Sequence, residues 1–513
     1  AGLMAAAAGL AAPPSLRSGA GGDAALYDWM KAHSKPIRSV EAVPDDDFTD
    51  LAVFDPLARR ARVIGFGESD HGVHDHPQLR NRLFKYLVER HGFRVLMVES
   101  GILESRLVDR FIQGDPAITL EAALSKGITH GMGPWEETRD ILLWMRERNE
   151  SHPSRKLRFV GPDLPVKGDA PALALEALLP YLRGVDAGLA AEAEALLPLA
   201  RKASAITDQI ASILEAMHQA GKVPSPDIDP DLLDGFGSIG YDQLTDPEKT
   251  RLREGLESIS TSMRRRRARC LEAGSLDDYR WNSHLPEVAL QMVRNLESRR
   301  AHPKIPFFEK NVAYLKKAGL YDRLKVGDYG CDLSDPRAAQ EYFLGRESRE
   351  KALAENVLWA EKTYGKALAF AHNSHLIKDA LDVDFGGVRL GRLRSKGEGR
   401  FISDQLGRGY AVIFATADRY VDRATGEDLT RVHDQDLVPT SACHGCVEKG
   451  FLDVADPAPA LFLDLTRAKG DIRALLRGDR EHRHQLGFQK FSPIRGYDAL
   501  VFIRRMRLGY RLP

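Results

Sequence analysis

Residues 63–76 read VIGFGESDHGVHDH. A short apolar run, Val63 to Phe66, passes through Gly65 and Gly67 into Glu68, Ser69, Asp70, His71, His74, Asp75 and His76. Such a run bounded by glycine reads as a strand, and its polar end as the loop that follows. Two familiar meanings of a glycine-rich strand end fail here. A dinucleotide fingerprint needs a third glycine where this chain has Asp70, and a carboxylate there repels phosphate. A nucleophile elbow, G-x-S-x-G, needs a small residue where this chain has the imidazole of His71. Ser69 is therefore a poor nucleophile, and the stretch reads as a strand that delivers acids and imidazoles to a loop.

The residues that follow extend the pattern. Pro77 sits in a first helical turn, Leu79, Leu83 and Leu87 recur at four-residue spacing, and His91-Gly92 supplies a stop. Strand-like runs recur at 62–66, 93–98, 157–160, 366–371, 410–415, 460–465 and 499–504, most followed by a polar tip and a helical pattern. Strand, loop, helix, strand is the signature of an α/β fold with a parallel-type sheet and crossover helices. Between residues 166 and 320 the strand signal vanishes, and amphipathic stretches such as ALALEALLPYLRG (172–184) and LPEVALQMVRNLES (285–298) replace it, broken by the loop at 221–242. The expected organisation is a tail over 1–25, the first part of the core over 26–165, a helical insertion over 166–320 and the second part of the core over 321–513.

Bulk properties narrow the function. Lys plus Arg and Asp plus Glu number 73 each in 513 residues, which gives no global electrostatic case for nucleic acid or a membrane surface. No apolar run is long enough to span a bilayer. The basic run Arg264 to Arg267, extended by Arg269, reads as a solvated helix face. The opening AGLMAAAAGLAAPPS is compatible with the end of a secretory signal or with an Ala-rich disordered tail, so a periplasmic or secreted location and a cytoplasmic one both stay open. Four cysteines make no disulfide scaffold, and Cys443-x-x-Cys446 around His444 predicts a local disulfide or two thiols rather than a structural zinc.

Ligands bind beyond the carboxyl ends of parallel strands, where the loops converge. Read in order, those ends carry Glu68 and His71, then Glu99 in VLMVES, Asp163 in FVGPDLP, and His372 and His375 in AFAHNSHL. Each alone has a plain structural reading, as a helix cap or a turn residue, but four successive strands ending in ionisable groups point to one shared site. His74 and His76 are expected at the surface or behind the site. Arg80, one turn into the helix, can aim a fixed positive charge back at the tips and stabilise an oxyanion. Two histidines, several carboxylates and an arginine, with no plausible Ser or Cys nucleophile, suit attack by a water that a histidine deprotonates. They also suit a metal.

The chain resembles the erythromycin esterase family from about residue 55 to about residue 420. The blocks that carry the resemblance are GESDHG, RNRLFKYLVERHGFRVLMVESG, Trp135 with ILLWMRERN, FVGPD, SREKALAENVLWAEKTYGKALAFAHNSHL and LGRGYAVIFAT, in that order. The family's hydrolases open macrolide lactones with a histidine-activated water and no covalent intermediate. By resemblance the general base is His71, its carboxylate partners are Glu68 and Glu99, and Arg80 and His372 are site residues. His375 and Asn356 also fall in family motifs and, with Asp163, are expected to meet the substrate. The resemblance further implies that inserted helices cover the cleft. Asp70 departs from the family, which often has a small or neutral residue there.

The expectation is a carboxylic ester hydrolase, acting on a small-molecule ester or lactone with no cofactor and no metal, and with neither nucleic acid nor membrane as partner. Two alternatives stay open: a metal-dependent hydrolase or peptidase using His372-x-x-His375 and the carboxylates, and a non-enzymatic protein binding haem or another small ligand.

Overall fold

The computed structural model describes the chain over residues 20–512, apart from 43–45, 166–170, 220–239, 273, 303–304, 307–315, 318, 320, 323–329, 332–334, 380–381, 386–387, 393–395, 433–434, 437–439, 444 and 485–486. Most of the expected tail, most of the loop at 221–242, and His444 lie outside the described residues.

Among the described residues, eight strands form the central sheet: β1 (Lys35–Ile37), β2 (Val63–Glu68), β3 (Val95–Val98), β4 (Arg158–Val160), β5 (Ala367–His372), β6 (Tyr410–Val421), β7 (Ala460–Asp464) and β8 (Ala499–Arg507). Their order across the sheet is β1-β7-β8-β6-β2-β5-β3-β4. From β8 to β4 every pairing is parallel, whereas β7 runs antiparallel to both β8 and β1. The fold is therefore α/β, with an antiparallel edge. The strand of the VIGFGE stretch, β2, lies inside the sheet between β5 and β6, and all six of its residues are buried. Burial on both faces explains why it reads as a continuous apolar run rather than an alternating one.

Helices cover both faces. On one, Ile64, Phe66, Leu96, Leu368 and Phe370 pack with Leu79, Leu83, Phe84 and Leu87 of helix Asp75–His91. Each of those leucines contributes roughly 1.5–3 kcal/mol by leaving water. The helix ends where Gly92 turns left-handed at φ 69°, a conformation only glycine adopts cheaply. On the other face, Val63, Val95, Ala367 and Ala369 pack with Val357 and Ala360 of the long helix Pro336–Tyr364.

Between β4 and that long helix, the described residues form helices Pro171–Val185, Ala187–Gln219, Asp246–Arg265, Arg267–Glu272, Leu276–Asn282 and Leu285–Ala301. They share their own apolar core, including Leu175, Leu189, Leu252, Leu256, Val288 and Met292. Arg264 to Arg269 are exposed on these helices, as their charge pattern predicts. One part of the architecture is absent from the sequence reading: a four-stranded antiparallel sheet that pairs Asp382–Phe385 and Val388–Arg392 with Arg480–His484 and Gly487–Phe491. Cys270, Cys443 and Cys446 are buried thiols.

Candidate active site

The glycines of the opening motif let other chains cross the strand. A Cβ at Gly67 would collide with the side chain of Asn373, which reaches over β2 to donate to the Ala415 carbonyl at 2.7 Å and so ties β5 to β6. Beyond the glycine, Glu68 stands directly beside His372 in the β2–β5 register. The Glu68 carboxylate meets Nδ1 of His71 at 2.7 Å. The His71 side chain is 47% exposed, while Glu68 behind it is 1% exposed. A buried carboxylate thus holds one ring nitrogen of a histidine that opens to solvent. Desolvation pulls the His71 pKa down, but the charge and hydrogen bond of Glu68, with Glu99 farther off, outweigh it and raise the pKa to about 9.

His372 lies 5.5 Å from His71 between ring centroids. Its Nε2 donates to the Ser69 carbonyl at 3.0 Å, which fixes the tautomer and leaves Nδ1 to accept from the Ser374 hydroxyl at 2.8 Å. The Glu99 carboxylate accepts from the His372 backbone N–H at 3.1 Å and lies 3.3 Å from Nε2 of His375. On its other side His375 meets Glu350 through Nδ1 at 2.9 Å. Burial works against a charged imidazole, yet the two carboxylates prevail and hold the His375 pKa well above its ordinary value. Glu99 is correspondingly held low: burial opposes this, and His375 and His71 overcome it.

Asp163 joins the group through the backbone, its N–H donating to the Ser100 carbonyl at 3.0 Å. Its carboxylate takes both arms of the Arg349 guanidinium, Nε at 2.9 Å, and also meets Nε2 of His130 at 3.1 Å. Burial works against the charged form, but the Arg349 charge and the His130 bond hold the Asp163 pKa well below the ordinary carboxylate range. Asn356 stands behind this tip, where its amide donates to the Pro162 carbonyl at 2.8 Å and its oxygen accepts from His284 and Gln291 at 2.8 and 3.1 Å. Arg80 is buried with its guanidinium 4.7 Å over the Phe370 ring, bonded to the Asn81 side chain. Desolvation lowers its pKa to about 10, and the charges of Glu68 and Glu137 partly offset this.

The structure thus gathers Glu68, His71, Glu99, His372 and His375 in contact at the strand ends, with Asp163 beside them, Arg80 within the field of Glu68 and Asn356 in a supporting position. Arg349, Glu350, His130 and Glu398 belong to the same cluster and escape the sequence reading. Arg349 and Glu350 lie on the helix that carries Asn356, and Arg349, two turns ahead of Asn356, shares its face. His130 adopts a left-handed φ of 58°, uncommon for a residue with a side chain, in the turn before Gly131. Glu398 is buried with Oε2 unpartnered, and burial among Glu350, Glu99 and Asp163 raises its pKa well above the usual range despite His375.

His74 and His76 are fully buried, which excludes the surface and leaves the other expected place, behind the site. His74 is held between Glu137 and Glu41, the latter at 3.2 Å. The serines that flank the glutamates are also buried, and Ser100 Oγ accepts from the Thr129 N–H at 2.9 Å.

Comparison with known proteins agrees with this architecture. The chain is 21% identical over 360 residues to erythromycin esterase type II of Escherichia coli, covering 70% of each chain. It is 27% identical over 119 residues to erythromycin esterase type I of the same organism, covering 23% of this chain and 28% of that one. Among solved structures, a Bacillus cereus protein superposes with a TM-score of 0.62 at 18% identity, covering 96% of this chain and 99% of that chain. A succinoglycan biosynthesis protein gives 0.61 at 18% identity, with 96% and 100% covered. A mutant of the erythromycin esterase EreC in its open conformation gives 0.58 at 16% identity, with 94% and 98% covered. The family profile matches from the helix after the opening motif to the end of the sheet, so the match starts later and runs farther than the resemblance read from the motifs. With residues 88–506 matching that profile, the chain belongs to the erythromycin esterase family.

Proposed function

We propose that the protein hydrolyses a carboxylic ester, of the macrolactone class, by direct attack of water with His71 as general base. The observation that carries this reading is the Glu68–His71 pair: a buried carboxylate at 2.7 Å from Nδ1 of a solvent-exposed imidazole. With Nδ1–H held by the carboxylate, Nε2 takes the proton of a water as its oxygen bonds to the ester carbonyl carbon. The tetrahedral oxyanion collapses, the C–O bond to the alcohol breaks, and the imidazolium returns the proton to the leaving alkoxide. A lactone gains one water and opens to a hydroxy acid.

Glu99 and His372 brace the base from behind, and Arg80 supplies a fixed positive charge at its carboxylate. Burial of Ser69 and Ser100 speaks against an acyl-serine route. The names of the E. coli relatives favour a macrolide as substrate. Asp163, His375 and Asn356 shape the floor of the site, and the helices of the 166–320 insertion act as a lid that selects substrates.

The test is a panel of erythromycin, other macrolactones and simple esters, read by a mass gain of one water. His71→Ala should lose on the order of a hundredfold to ten-thousandfold in rate while keeping its thermal midpoint. Single turnover in 18O-water should place the label in the product acid and none in the enzyme. Near-parental turnover by His71→Ala, or an acyl adduct on Ser69 or Ser100, would overturn the reading.

A further inference from the structure

Three consecutive residues of the opening motif are each tied to a different element. The Ser69 carbonyl accepts from His372 of β5, Asp70 accepts a hydrogen bond from the Tyr420 hydroxyl of β6, and the His71 ring rests on Glu68 at the end of β2. The middle tie has no part in the reaction as proposed. Tyr420 lies near the far end of β6, beyond the stretch Tyr410–Ile413 that pairs with β2, and it is fully buried. The Arg483 guanidinium, from the four-stranded sheet, lies 5.5 Å from the centre of the Tyr420 ring. Asp70 is also buried, so its carboxyl faces Tyr420 from β6, Arg483 from the outer sheet, and Glu68 and His71 from its own loop.

We propose that Asp70 and Tyr420 form a positioning pair: the Tyr420 hydroxyl anchors the turn that presents His71, and the Asp70 carboxyl places a charge-bearing group beside that imidazole. The inference rests on the reading of His71 as the base. A hydrogen bond between two buried groups fixes the turn more tightly than a solvated one, and a displaced base loses rate out of proportion to the displacement. The carboxyl is also poised to change charge. Burial raises its pKa to about 7, against the Tyr420 bond and the charges of Arg483 and His71. Asp70 is therefore largely neutral in mild acid and becomes an anion next to His71 in mild base, which favours the imidazolium there.

The experiment follows the His71 ring by NMR in histidine-labelled protein, its signal assigned by its loss in His71→Ala. The parent is compared with Tyr420→Phe, Asp70→Asn and Asp70→Ala. Tyr86→Phe serves as control, because it removes a like hydroxyl from a part-buried Tyr86–Asp55 bond away from the site. Asp70→Asn should lower the His71 pKa by about half a unit to one unit, and Tyr86→Phe should leave it in place. On erythromycin, or the best substrate of the panel, Tyr420→Phe should lower kcat about tenfold with KM within about twofold. Asp70→Asn, which still accepts from Tyr420, should recover much of the kcat that Asp70→Ala loses.

A parental His71 titration in Asp70→Asn together with parental kcat in Tyr420→Phe overturns the pair. Should Tyr420→Phe not fold, the Asp70→Asn titration decides. Turnover surviving in His71→Ala refutes the base assignment instead, and the NMR result still judges whether Asp70 acts on that ring.

Discussion

At the scale of a residue, the Glu68–His71 pair has two opposed effects. The carboxylate orients the imidazole and strengthens it as a base, but it also keeps it protonated, and with a pKa of about 9 only about a hundredth of the molecules hold a neutral His71 at pH 7. The rate in kcat/KM should therefore climb with pH and level off near 9. Glu68→Gln keeps the shape of the contact and removes its charge, so the inflection should move down toward 6.5 while the plateau falls. A pH–rate profile of the two proteins checks both. A zinc at this site would need the same histidines as lone-pair donors. His375 spends both ring nitrogens on carboxylates and His372 spends both on Ser69 and Ser374. Exhaustive chelation followed by assay in metal-free buffer is expected to leave the rate unchanged, and recovery by added zinc after a loss would show otherwise.

At the scale of elements, the site is a row of strand ends clamped from one side by the helix Pro336–Tyr364. Arg349 of that helix pairs with Asp163 after β4, and Glu350 pairs with His375 after β5. Such buried pairs are weak evidence of net stability, but removing one partner strands the other charge. Arg349→Ala should cost roughly 3–5 kcal/mol in urea unfolding. Arg349→Lys should recover only part, since an ammonium cannot grip both carboxylate oxygens as the guanidinium does. The clamp also shows where sequence reading stops. Glu68, Glu99, Asp163, His372 and His375 were legible because strand ends in parallel sheets converge. Arg349, Glu350 and Glu398 were not, because a charge on a helix looks the same in sequence whether it faces water or a buried histidine. The outer sheet escaped for a related reason: its strands DVDF, VRLGR, REHRH and GFQKF are short and thick with charge, so none makes the apolar run that betrays a strand. The edge strand β1, three residues with a proline at its centre, gives still less signal.

For the whole molecule, these charges predict opposite optima for stability and activity. His71 and His74 have folded pKa values raised to about 9, and His375 is raised as well. A raised pKa means the folded state binds the proton more tightly, so that stabilisation is complete below about 6.5 and is lost as pH rises through about 9. Asp70, raised to about 7, pushes the same way over a lower range. Glu99, Glu350 and Asp163 are depressed, so their contribution is present above the ordinary carboxylate range and fails only on acidification below about 4. Urea midpoints should therefore peak in mild acid and decline toward pH 9, while turnover rises over that same interval. A midpoint that increased from pH 6.5 to 9 would contradict the assignment.

The placing of β2 between β5 and β6 has a consequence for biosynthesis. Val63 must pair with Ala367 on one side and Tyr410 on the other. At 5–20 residues per second, the roughly 300 residues that separate it from its first partner take about 15–60 s to emerge from a ribosome. During that interval the nascent chain carries an apolar segment with no neighbour to hydrogen-bond, a template for aggregation. The site, whose residues run along the chain from Glu68 to Glu398, is then completed among the last events of folding. A chain released before residue 367 should be insoluble or chaperone-bound rather than a smaller working enzyme, and its amide hydrogens at Val63 to Glu68 should exchange without protection.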